Sequence, residues 1–197
     1  MQTFVEILHD ARVLGVDTLP DGTELLGRLP HVGESAYLHV LFSALTASDL
    51  DELEIKLSRR VPEVIAEFLL NHNGLIAYQG ALSVAGRRSN FSRDSSNRQP
   101  FDILEGNTYS RVSEADADDF FFGSYNWDGS LLFVRGDSPF IYRRSRSSAA
   151  VLNSWPSMTQ MLDLEICRIS KLFDKLGQET DQSVPTTPGN DLITPPS

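Results

Sequence analysis

A chain of 197 residues with 41% hydrophobic residues, eleven Phe among them, holds enough apolar material for one packed core and too much for a disordered polymer. Its formal net charge of −10 repels phosphate backbones, which excludes direct nucleic-acid binding as a first expectation and favours a basic partner, although the same acidity also serves solubility. One cysteine, Cys167, excludes an intrachain disulfide, and its neighbours Ile166 and Ile169 mark it as a small buried apolar side chain in a reducing compartment.

Phe4, Ile7, Leu8 and Ala11 share one helical face, predicting a first helix that stops near Gly15. Between Asp17 and Gly33 the turn residues Pro20-Asp21-Gly22 and Leu29-Pro30 interrupt any periodicity, so a loop is expected there. Leu38, Leu41, Phe42 and Leu45 return to helical spacing. A third helix follows, capped by Ser48 or Asp49, striped by Leu50, Leu53 and Leu57, and acidic on its outer face. Pro62 suits the first turn of a fourth, with Ile65, Phe68, Leu69 and His72 on its apolar stripe and Asn73-Gly74 as its stop.

From Leu75 the pattern changes to short apolar runs between Gly, Asn, Asp and Ser, the pattern of an antiparallel meander. Strands are predicted over 75–78, 81–84, 120–123, 130–134 and 140–142, with Asp128-Gly129 and Gly136-Asp137 at the reversals. Residues 86–100 carry four arginines and read as a long exposed connection. Ser157 and Gln160 have capping-box spacing ahead of a helix striped by Met161, Leu162, Ile166, Ile169, Leu172, Phe173 and Leu176, placed to cover the sheet. The fold class is therefore α+β: an antiparallel meander packed against N-terminal helices and one C-terminal helix. Residues 178–197, rich in Pro and Thr, have almost nothing to bury and are expected to be disordered.

Glu114, Asp116, Asp118 and Asp119 form the densest acidic cluster, read either as a face for a basic partner or as a solvated loop. Their spacing lacks the glycine and terminal Glu of an EF-hand, so no metal is expected. Tyr125 and Trp127 are candidate interface anchors, with sheet core as the alternative. The arginines at 87, 88, 93 and 98, with Arg143, Arg144 and Arg146, read as exposed loops with internal ion pairs. None of His9, His31, His39 and His72 lies in a nucleophile or metal motif, Cys167 has no activating neighbour, and no phosphate-cradling glycine loop appears, so neither catalysis nor a cofactor is expected. The N-terminus lacks the basic start and apolar run of a signal peptide, and no stretch approaches a membrane span, which predicts a cytoplasmic protein.

The order of these elements, with Val61-Pro62, Phe68-Leu69 and Asn73-Gly74 bracketing one helix, then Phe120-Phe121-Phe122-Gly123, the Asp128-Gly129 turn and a closing helix, resembles the SUKH superfamily. The resemblance runs from Ser48 to Leu176. It implies a domain over residues 48–177, preceded by a helical extension over 1–47, in which Pro62, Phe68, Asn73, Gly74, Gly123 and Gly129 are structural. It also implies a binding role. One form is a bacterial immunity protein neutralising a toxin domain, often a nuclease, whose basic groove would match an acidic surface. The alternative is a regulatory or scaffold module that binds signalling or cell-envelope-synthesis proteins.

Overall fold

The computed structural model describes residues 2–90 and 98–190. Thr3 opens the first helix, α1 (Phe4–Asp10), through a capping box with Glu6, and a single 3-10 turn (Ala11–Leu14) carries the chain to Gly15. The expected loop and second helix are instead three strands, β1 (Val16–Thr18), β2 (Glu24–Arg28) and β3 (Tyr37–Leu41). Pro20-Asp21-Gly22 forms the β1–β2 reversal, with the Thr23 N–H donating to Asp21 Oδ1 at 2.9 Å and Gly22 at φ +90°. The helical spacing of Leu38, Leu41 and Phe42 misleads because every residue of β3 is buried. A strand covered on both faces loses its period-two alternation, and its apolar run then matches a helical template by chance. Residues 1–47 are thus not a helical extension: beyond α1 they contribute three strands to the main sheet.

Helix α2 (Ala47–Leu57) begins two residues earlier than expected, with Thr46 as its cap and Asp49 returning the hydrogen bond. Pro62 caps α3 (Glu63–Leu69) with extended backbone and no lost donor. The helix ends before Asn73-Gly74, whose role lies in the sheet. β4 (Leu75–Ala77), β5 (Leu82–Val84), β6 (Asp119–Tyr125), β7 (Leu131–Arg135), β8 (Ile141–Arg144) and β9 (Val151–Trp155) complete the strands, and α4 (Met158–Ser170), capped by Ser157, closes the fold. Among the described residues nine strands form one antiparallel sheet in sequence order. The fold is α+β, as expected, but its meander begins some sixty residues earlier than the chain's pattern indicates.

One sheet face meets the helices. Leu26, Leu41, Leu75, Leu82, Phe120, Phe122, Leu132, Val134 and Ile141 pack there against Leu8, Leu53, Ile65, Phe68, Met161 and Ile166. The opposite face holds a smaller cluster of Leu25, Tyr37, Val40 and Phe42. It also carries Phe121, packed at a tilt against Phe133 with ring centroids 5.6 Å apart.

Two asparagine side chains extend the strand ladders. Asn73 exchanges both of its amide hydrogen bonds with the backbone of Arg87, at 2.6 and 2.9 Å, and Asn107 does the same for Phe121, at 2.6 and 3.0 Å. A primary amide presents the donor and acceptor of a peptide group, so each continues the pairing where the neighbouring strand has ended. Gly74 takes φ +104°, and a Cβ on it would lie 2.9 Å from the Val84 carbonyl. Gly123 sits at the bulge between β6 and β7, where a Cβ would lie 2.6 Å from the Ser83 carbonyl. Among the described residues no helix is long and apolar enough to cross a membrane.

Residues 178–190 are not disordered. Thr186 and Thr187 are buried, and the carbonyls of Thr186, Pro188 and Gly189 accept from Arg168, Arg143 and Asn153 at 2.6, 2.6 and 2.7 Å. The segment docks through its backbone, so side-chain composition carried no sign of it. Residues 191–197 lie outside the described residues.

His39 is a fully enclosed core histidine whose Nδ1 accepts from the Tyr78 N–H at 3.1 Å, and burial lowers its pKa from 6.5 to about 3. It stays neutral in the folded chain while the unfolded chain binds a proton below about pH 6.5, so stability falls as pH drops through that value. Urea unfolding at pH 6.5 and 5.0 should show a loss of about 2 kcal/mol, at about 1.4 kcal/mol per pH unit. His39→Asn, which retains an acceptor for Tyr78, should remove most of that dependence.

Candidate functional site

The acidic segment does not present an open carboxylate face. Asp119 is fully buried at the start of β6, where Arg135 Nε reaches its Oδ1 at 2.8 Å, Arg144 Nη1 lies 3.8 Å from its Oδ2, and the Asp116 N–H donates to it at 3.1 Å. Asp116 is itself paired to Arg135 at 2.9 Å. Arg59 and Arg111 converge on the segment's backbone, donating to the carbonyls of Ala117 and Asp119, Arg59 at 3.2 Å to each and Arg111 at 3.2 and 3.0 Å respectively. Of the four, Glu114 and Asp118 keep exposed carboxylates with no ion pair within 4 Å among the described residues. Asp119 is therefore corrected from a partner-facing residue to a buried counterion, because the buried guanidinium of Arg144 requires it, with the half-exposed Arg135 closing the pair from the surface.

Tyr125 is corrected as well. It is fully buried, and its hydroxyl donates to Glu165 Oε2 at 2.9 Å, the same oxygen that receives Arg168. Burial first, and the charge of Glu165 second, hold its phenol well above the ordinary pKa. Trp127, by contrast, is 46% exposed. The arginine islands divide: Arg87 pairs with Asp49 at 2.7 Å and with Glu52, whereas Arg143 and Arg144 are not in exposed loops at all but buried on β8. Arg93 lies outside the described residues.

A groove of about 530 Å³ opens where α1, α3, the N-terminal end of α4 and the β7–β8 turn meet. Its floor is apolar, from Phe4, Phe68, Met158 and Leu162, and its rim carries Glu63, Glu67 and Asp137. Among the described residues no Lys or Arg lines it. Helical spacing sets the rim, since Glu63 and Glu67 are one turn apart on the exposed side of α3. His72 closes the floor with its ring edges against Phe4 and Phe68, at centroid distances of 6.3 and 5.9 Å. Burial lowers its pKa from the ordinary value, against the opposing pull of Glu24, so the imidazole is neutral at pH 7 and does not offset the carboxylates. An apolar floor inside an acidic rim takes a segment with one or two apolar side chains flanked by cations.

Pro62 and Phe68 belong to this groove. Its acidic members were not singled out from the chain because they are scattered over residues 63, 67 and 137, and only the antiparallel return of β7 into β8 brings Asp137 to α3. Among the described residues no group of three or more His, Cys, Asp or Glu is placed to hold a metal ion. No protein-family model matches the chain, and no curated protein is significantly similar to it.

Asp119 and the exposed carboxylates should separate cleanly in a stability measurement. Asp119→Ala strands Arg144 in the interior and should cost about 3 kcal/mol in urea unfolding, whereas Glu114→Ala and Asp118→Ala should each change stability by less than about 0.5 kcal/mol.

Proposed function

We propose that this chain is a non-catalytic, cytoplasmic protein-binding module of the SUKH type, acting as an immunity-type protein that holds a basic, nuclease-like toxin domain. The groove between α1, α3 and α4 carries this reading: among its described lining residues are three rim carboxylates and no Lys or Arg. A nuclease needs cations where its substrate phosphates sit, and an acidic groove that takes those cations speeds association and denies the substrate its place. The segment that resembles the SUKH hallmark, from Val61 to Gly74, forms one wall of that groove. The net charge of −10 supplies long-range steering in the same direction. The exposed carboxylates of Glu114 and Asp118 lie outside the groove and contribute to steering alone.

The test is co-expression with a toxin-like domain found encoded beside this chain. The wild-type chain should co-purify with it and restore growth, with an association rate that falls steeply as salt rises. The double reversal Glu63→Lys and Glu67→Lys should weaken binding at least about a hundredfold, and Glu114→Lys with Asp118→Lys should change it no more than about threefold. Absence of both binding and growth rescue would end the immunity reading, and equal loss from the two double variants would remove the groove from it.

A further inference from the structure

At the opposite end of the sheet the β4–β5, β6–β7 and β2–β3 connections meet the chain that follows α4, around a second cavity of about 460 Å³. The β4–β5 connection is strained. Tyr78, Gln79 and Gly80 take φ of +49°, +56° and +96° in succession, a left-handed run that side-chain-bearing residues seldom adopt. It is held from below, where the Tyr78 N–H donates to buried His39 at 3.1 Å and the Tyr78 ring lies between His39 and Phe173, at centroid distances of 4.5 and 4.8 Å. A buried anchor that forces two side-chain-bearing residues into this conformation keeps the exposed Gln79 at the cavity, and strain kept in place by its surroundings concentrates at functional positions.

The lining has a distinct chemistry. Among the described residues it holds no Lys or Arg, and its polar side chains are the amides of Gln79, Asn126, Gln178 and Gln182, the hydroxyls of Tyr78 and Thr186, the carboxylate of Glu179 and the imidazole of His31. Trp127 contributes an indole that is 46% exposed. The wall containing residues 178–186 exists because the chain after α4 is pinned in place: the Asp174 N–H donates to the Gln178 carbonyl at 2.8 Å, and the Thr186 carbonyl accepts from Arg168 at 2.6 Å. Gly177, at φ +74°, sits so close to Leu29 that a Cβ would lie 2.7 Å from it.

From these features we infer that this cavity is a binding site for a short neutral saccharide. A lining without Lys or Arg gives no counterion to phosphate or carboxylate ligands. Primary amides offer donor and acceptor together, which matches vicinal hydroxyls, and a half-exposed indole offers a flat apolar surface for the C–H face of a sugar ring. The cavity size lies within the range of small-molecule sites. The site is independent of the acidic groove.

The test is a titration of the full chain with maltotriose, cellotriose and tri-N-acetylchitotriose, separately, following tryptophan emission and the indole N–H resonance of Trp127. One of the three should bind saturably with a Kd at or below about 1 mM. Trp127→Ala should weaken it at least about tenfold with the melting temperature unchanged, because the residue is on the surface. Gln79→Gly should raise the melting temperature by about 2 °C by relieving the left-handed strain, while binding falls. No saturable change with any of the three at about 10 mM, an unchanged Kd in Trp127→Ala, or preferential binding of glucose 6-phosphate over the neutral sugars would each overturn the assignment.

Discussion

Two adjacent arginines on β8 hold the two sides of this molecule together. Arg143 and Arg144 are 2% and 1% exposed, and neighbouring residues of a strand face opposite sides of its sheet. Arg144 turns to the acidic segment, where it meets Asp119 and the Glu114 carbonyl. Arg143 turns to the C-terminal segment, where it donates to the Pro188 carbonyl at 2.6 Å and Asn190 Oδ1 at 3.2 Å and lies over the Tyr125 ring. Burying two guanidiniums is costly unless partners satisfy them, and here Arg143 Nε and Arg144 Nη2 find no hydrogen-bond partner among the described residues. The remaining donors must therefore be met in full, which obliges the acidic segment on one face and the C-terminal segment on the other to stay docked.

That obligation decides where binding surfaces can be. The acidic run around Asp119 looks like a partner site in one dimension, yet in three it is bound to Arg59, Arg111, Arg135 and Arg144 and its charge is largely spent inside the molecule. On the proposed reading, the carboxylates offered to a partner are those of the α3 groove, whose lining among the described residues includes no Lys or Arg. The docked C-terminal segment, in turn, forms a wall of the cavity at the other end of β7. The two proposed sites thus lie at opposite ends of one sheet and draw on opposite chemistries, carboxylates around an apolar floor at one and neutral amides beside an indole at the other.

Local grammar made the second half of the fold legible. Asp128-Gly129 at a reversal, Ser157 ahead of an amphipathic run and Pro62 at a helix start each act through their immediate neighbours, and each keeps its ordinary meaning here. β3 was illegible because burial on both faces erased alternation, and β9 because Val151-Leu152-Asn153-Ser154-Trp155 mixes polar side chains that bond to other segments, Asn153 to the Gly189 carbonyl among them. The docking of residues 178–190 was illegible for a different reason: its carbonyls make the contacts, and every residue has a carbonyl. Of the candidate site residues, Trp127 lies at a cavity and Glu114 and Asp118 at the surface, while Asp119 and Tyr125 are buried. Charge and aromaticity mark a residue as consequential without saying whether its partner is inside the chain or outside it.

The C-terminal segment belongs to the folded domain through Arg143, and limited proteolysis of the full chain tests this most directly. Cleavage between residues 178 and 190 should proceed no faster than global unfolding permits in the wild-type chain. In Arg143→Met it should become rapid while the remainder of the domain stays intact. Immediate removal of the segment from the wild-type chain, or equal resistance in Arg143→Met, would contradict it.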